Sequence, residues 1–168
     1  MKEILYIIMC NDFASMNTGK AIAQGSHAVA DLSFEVINSN DDELKYHYNK
    51  WLLQNGINGK FGTTIVLEGL MNDIENLLKQ NVPLNTLKKA IIDNTYPFKM
   101  QKELIKYIDN DVWTSGKMRI DSLEADKDGM IQCHRKEMTC AYIFAWGEDS
   151  EFEEFKQICN YKKIKLHH

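Results

Sequence analysis

The sequence predicts an α/β fold: a three-layer α/β/α sandwich with a mixed, mostly four-stranded central sheet. Three observations lead there. Short apolar, β-branched runs alternate along the chain with amphipathic segments of helical period. The 168 residues, 44% hydrophobic and 26% charged, suffice for one domain with its own core. The alternation breaks only over residues 98–138, which read as an insertion before the last main strand and a possible lid. There is no internal repeat and no low-complexity linker, so residues 1–166 read as a single domain.

"EILYIIM", residues 3–9, is short and continuously apolar, and predicts a buried first strand. A long helix follows from 18 to about 38, then a second over 41–55, with Asp41 as its cap and Gly56 as its stop. "TTIVLEG", 63–69, is a β-branched second strand. "MNDIENLLKQN" is an amphipathic helix that turns Ile74, Leu77 and Leu78 inward. "LKKAIIDNT" predicts a third strand that ends at "YPF". Within the insertion, "QKELIKYIDND" suggests a short helix, and two short strands flank the turn "DKDG". "TCAYIFAWG", 139–147, is a strong strand, and "SEFEEFKQICNYK" is a helix with an acidic first turn, as the helix dipole prefers. "KIKL" is a last short strand or a tail, and His167 and His168 read as a tail or tag remnant.

The composition narrows the function. No apolar run approaches the ~18 residues of a membrane span, and the N-terminus lacks a signal-peptide pattern, so a cytoplasmic protein without a membrane partner is expected. Cys10, Cys133, Cys140 and Cys159 show neither metal-knuckle nor CxxC spacing. Cys133 and His134 are neighbours on a strand and point to opposite faces. Reduced thiols, no metal and no cofactor are therefore expected. The formal net charge of −4 advertises no broad nucleic-acid surface, although phosphate contacts depend on local patches.

"NTGKAIAQGSHAVADL", residues 17–32, opens the first long helix with a Gly-Lys pair after a strand. It is not a P-loop: the first glycine position is Ala14, and Ala21 stands where a hydroxyl would follow Lys20. At 100° per residue, Lys20, Gln24 and His27 fall within about 60° of each other, with Asp31 on the same face. Opposite them Ile22, Gly25, Val29, Leu32 and Val36 form an expected inward stripe. Asn17 or Thr18 would cap the helix. Its unpaired N–H groups and positive end would then favour an anion, or a carbonyl gaining negative charge.

"GKAIAQGSHA" resembles the G-K-[IV]-A-A-Q-C-S-H-A signature of the second, archaeal and eukaryotic class of peptidyl-tRNA hydrolases. It fits at Gly19, Lys20, Ala23, Gln24, Ser26, His27 and Ala28; it departs at the Ala21-Ile22 swap and at Gly25. The resemblance extends in order through "GTTIVLEG", "AIIDNTYP" and "TCAYIF", over roughly residues 3–97 and 138–166. "DNTYP" with "RKEMTCAYIF" looks like the divergent bacteriophage-carried members. In the family an aspartate ends the third strand and a threonine opens the fourth, places matched by Asp93 and Thr139. Pro97 stands where the family has a further threonine, a contact then missing or supplied by Thr95.

The resemblance implies metal-independent hydrolysis of the ester between a peptide and the 3′ ribose of tRNA, recycling tRNA. The partner would be the CCA end and acceptor stem, and the chain a monomer or homodimer. Lys20 would stabilise the oxyanion or hold the terminal phosphate, and His27 would be the water's base or a structural hydrogen-bonder to Asp31 or to a neighbouring strand. Asp93 would orient the water or the lysine, Thr139 would donate to the substrate carbonyl or merely start its strand, and Gln24 would read a peptide amide. Asn17, Thr18, Gly19, Thr95 and Tyr96 join the expected binding residues. Arg135 and Lys136, with Lys88 and Lys89, are an expected positive rim, and Tyr96, Phe98 or Trp113 an expected stacking surface. Two rivals remain: an inactive RNA- or protein-binding module on the same fold, and an enzyme acting on another small acyl ester.

Overall fold

The computed structural model describes residues 1–12 and 18–166, the side chain of Thr18 excepted. The expected N-cap Asn17 and the residues 167–168 lie outside them. The chain is α/β with one mixed sheet of six strands, not four. They are β1 (Lys2–Cys10), β2 (Thr64–Gly69), β3 (Asn85–Gln101), β4 (Met118–Ile120), β5 (Met130–Gly147) and β6 (Lys165–Leu166). The helices are α1 (Thr18–Ile37), α2 (Asp42–Leu52), α3 (Met71–Lys79), α4 (Asn110–Thr114) and α5 (Asp149–Tyr161), plus a 3₁₀ turn over Lys102–Tyr107. The strand order is β3-β5-β1-β2-β6, with β4 beside β5. No helix among the described residues is long and apolar enough to cross a membrane.

The chain divides into two compact units, Met1–Ile91 with Thr139–His168, and Ile92–Met138. In the first, β1 runs parallel to β2 and antiparallel to β5, with Ile7 opposite both Val66 and Tyr142. Alternate β1 residues face opposite ways. Leu5, Ile7 and Met9 join Ala28, Leu32 and Val36 of α1 and Leu44, Tyr48 and Trp51 of α2 in one core cluster. On the other face, the Tyr6 ring sits 5.0 Å from Phe155 of α5. Asp41 caps α2 by accepting from the Glu43 and Leu44 N–H groups. That helix stops at Leu52, ahead of Gly56, whose φ of +83° serves the following turn.

Three expectations are corrected here. First, α1 is turned about its axis: Gln24, Ala28, Leu32 and Val36 are buried, while Ile22 and Val29 are 67% and 38% exposed. Polar partners on the sheet draw the Gln24–Asp31 ridge inward, against its hydrophilic character. Second, β3 does not end in "YPF", residues 96–98, but runs on to Gln101. It is an edge strand, where proline's missing N–H costs no ladder bond. Third, the two strands expected on either side of residue 138 are one, β5.

The second unit holds the remainder of β3 and β5, the whole of β4, the 3₁₀ turn and α4. Its Asp126–Gly129 turn is tied by the Asp126 carboxylate, which accepts from the Asp128 and Met130 N–H groups. Those two bonds and Lys99 hold its pKa below the ordinary carboxylate value. Ile131 and Cys133 are fully buried, whereas His134 is half-buried and bonds Asp121 through Nδ1 at 2.7 Å.

Candidate functional site

Parallel β1 and β2 bring their carboxyl ends, Cys10 and Gly69, to the same end of the sheet. Because β5 is antiparallel to β1, Cys140 lies opposite Met9, so Thr139 arrives there too. The next described element after β1 is α1, whose first turn carries Gly19, exposed, and Lys20, half-buried. Carboxyl ends of strands in open α/β sheets are where ligands are commonly held.

Gln24 and Thr139 meet. The Thr139 hydroxyl donates to Gln24 Oε1 at 2.6 Å, and both residues are buried. The Cys140 thiol donates to the Gln24 carbonyl at 3.5 Å. Burial pushes that thiol up to about 12, so it stays a neutral donor, even though the Thr139 contact works the other way. Farther along α1, the Tyr142 hydroxyl donates to Asp31 Oδ2 at 2.8 Å, and Lys89 reaches Asp31 at 3.0 Å and Glu35 at 2.6 Å. Desolvation and the Asp31 bond raise the Tyr142 phenol, keeping it protonated. Gln24 and Asp31 of the polar ridge are thus bonded to β5 and β3. His27 stays outward and exposed. Asp31, its expected structural partner, is engaged instead by Tyr142 and Lys89.

The expected positive rim is corrected in part. Lys89 is held by Asp31 and Glu35, bonds that raise its pKa. The Lys88 ammonium caps the carboxyl end of α3 through the Leu77 and Gln80 carbonyls, and burial lowers its pKa.

The remaining candidates belong to the second unit. Asp93 is half-buried, and its Oδ1 accepts from the Thr95 N–H at 2.9 Å and hydroxyl at 3.2 Å, so these two expected site residues are joined. Tyr96 is buried, and the Arg135 guanidinium lies 5.8 Å from its ring centre and 5.0 Å from that of Phe98. Arg135 Nε also approaches Glu137 at 2.9 Å without a well-formed hydrogen bond. Trp113 is half-buried in α4, and Lys136 is exposed. Buried Tyr96 is a core side chain rather than an open stacking surface.

Sequence reasoning missed Asp12. It follows β1 and accepts from the Met71 N–H at 2.9 Å, fixing the start of α3 beside the carboxyl ends of β1 and β2. A polar residue just past a buried strand was the available signal. Tyr142 and Cys140 gave none, since both read as strand interior. Among the described residues, no three His, Cys, Asp or Glu side chains gather as a metal would require. Compared with known proteins, the chain matches no family model and no curated protein.

Proposed function

We propose that this chain hydrolyses the ester bond of peptidyl-tRNA. The observation that supports this reading is the Thr139–Gln24 hydrogen bond one turn beyond Lys20, at the carboxyl end of β1. It joins two of the residues on which the resemblance to the second class of peptidyl-tRNA hydrolases rests. An ester needs no metal for its cleavage; it needs a positioned water, a donor set for the oxyanion and a hold on the CCA end. Lys20, in the first turn of α1, combines an ammonium with the positive end of a 20-residue helix. Thr139 fixes the Gln24 carboxamide that is assigned to the peptide. His27 contributes at the rim, as base or as contact to tRNA.

The test is release of N-blocked amino acid from N-blocked aminoacyl-tRNA under single turnover. Lys20→Ala should slow release at least about 30-fold, equivalent to about 2 kcal/mol of transition-state stabilisation, with an unchanged melting temperature. An unchanged rate removes Lys20 from the chemistry. A wild-type chain that binds tRNA without releasing product is instead the inactive binding module. Release from a small acyl ester but not from tRNA would assign the same lysine to another substrate.

A further inference from the structure

On the sheet face opposite α1, a groove of about 590 Å³ runs between α5 and the β1–β2–β6 side of the first unit. That volume is typical of small-ligand sites. Its floor is apolar, formed by Ile4, Ile65, Leu67 and Phe155 around the Tyr6 ring. Tyr6 is only 7% exposed as a whole residue, and its hydroxyl, which bonds no described residue, is not sealed off from the groove. Burial, with Cys159 and Glu153 nearby, raises its pKa and keeps it a donor.

The rim is positively biased. Lys2, Lys156 and Lys165 line the groove against Glu153. Lys2 is engaged by Asp149 at 3.0 Å, while Lys156 and Lys165 enter no ion pair among the described residues. An apolar floor with one unused donor and an ammonium rim matches a ligand with an apolar body and a single acid head.

We infer that this groove binds an acyl-chain carboxylate. The body lies on Ile65, Leu67 and Phe155, the head meets Lys156 and Lys165, and Tyr6 supplies a hydrogen bond from the floor. The site is independent of the proposed hydrolytic one, since none of its residues belongs to that set.

The experiment is calorimetric titration of the full chain with decanoate, decanol and decylammonium, each below its micellar concentration. Decanoate should bind, and at least about tenfold more tightly than decylammonium. Ile65→Asp should abolish binding, and Lys156→Glu with Lys165→Glu should remove the preference for the acid. Tyr6→Phe, which keeps the ring, should weaken decanoate about three- to tenfold. Circular dichroism and melting show that each variant folds, and the surface lysine pair keeps the test open if Tyr6→Phe or Ile65→Asp does not. Absence of decanoate binding, equal binding of the three probes, or indifference to the lysine pair would overturn the inference. So would binding that emerges only after residues 167–168 are removed, which would give the groove to the chain's own end, or a preference for an extended peptide over decanoate.

Discussion

At the scale of single residues, Thr139 and Gln24 carry the most argument. Both are buried, so each polar atom must be satisfied inside. Thr139→Val keeps the shape but leaves Gln24 Oε1 without that donor. Urea unfolding should show a loss of about 1–3 kcal/mol, and tRNA ester release should fall in the same variant. Buried thiols give a second prediction. Burial holds Cys140 and Cys159 protonated up to about 12, against an ordinary value of 9.0. Above 9.0 the unfolded chain releases these protons and the native chain keeps them, so stability falls as pH rises toward about 12. Each thiol steepens the fall by about 1.4 kcal/mol per pH unit. Replacing Cys159 by alanine should flatten urea midpoints measured between about pH 9 and 10, and an unchanged slope would mean the thiols do not titrate there. Lys89, whose folded pKa is raised, adds its own loss only at the alkaline end, above the lysine value of 10.5. Gln24, Lys20 and Thr139 were named from the sequence by a motif resemblance, but the Thr139–Gln24 bond was not foreseen. Asp31, Tyr142 and Cys140 were not, because their roles exist only once β5 lies against α1.

At the scale of elements, periodicity found the helices and most strands but misjudged what faces inward. In α1, both the apolar stripe and the polar ridge had helical period. Leu32 and Val36 of the first are buried as expected, but Ile22 and Val29 are exposed, and Gln24 turns inward to bond Thr139. The end of β3 was misjudged for another reason. Proline normally closes a strand, but an edge position exempts it, and sheet order cannot be read from the strand itself. The cap of α2 is more local and was read correctly. Asp41 was named as the cap of α2, and its carboxylate accepts from Glu43 N at 3.0 Å and Leu44 N at 3.2 Å. Asp41→Ala should therefore cost about 1 kcal/mol in thermal or chemical unfolding. Asp41→Asn, which retains the acceptor, should cost much less. Equal losses in the two variants would assign the effect to charge at the helix start rather than to the cap bonds.

At the scale of the whole molecule, charge sets the terms on which a polyanion can be held. The chain carries a formal net charge of −4, so any attraction to tRNA must be local. Several lysines near the expected site are already engaged. Lys89 is neutralised by Asp31 and Glu35, and Lys88 serves the carboxyl end of α3. Arg135 lies over the rings of Tyr96 and Phe98, with Glu137 at 2.9 Å. Under the proposed function, Lys20, Lys136 and Arg135 are the cations assigned to phosphate. Each contact to single-stranded phosphate contributes about −0.7 to the slope of log affinity against log salt. The expected slope is therefore shallow, about −1.5 to −2. Anisotropy of a labelled CCA-ended acceptor hairpin, titrated from about 50 to 200 mM salt, measures it. Lys136→Ala should reduce the slope by about 0.7 and weaken all tRNAs alike, because a phosphate contact carries no sequence information. A slope steeper than about −5 would require a broad basic face that this charge distribution does not supply, and a flat response would exclude binding through phosphates.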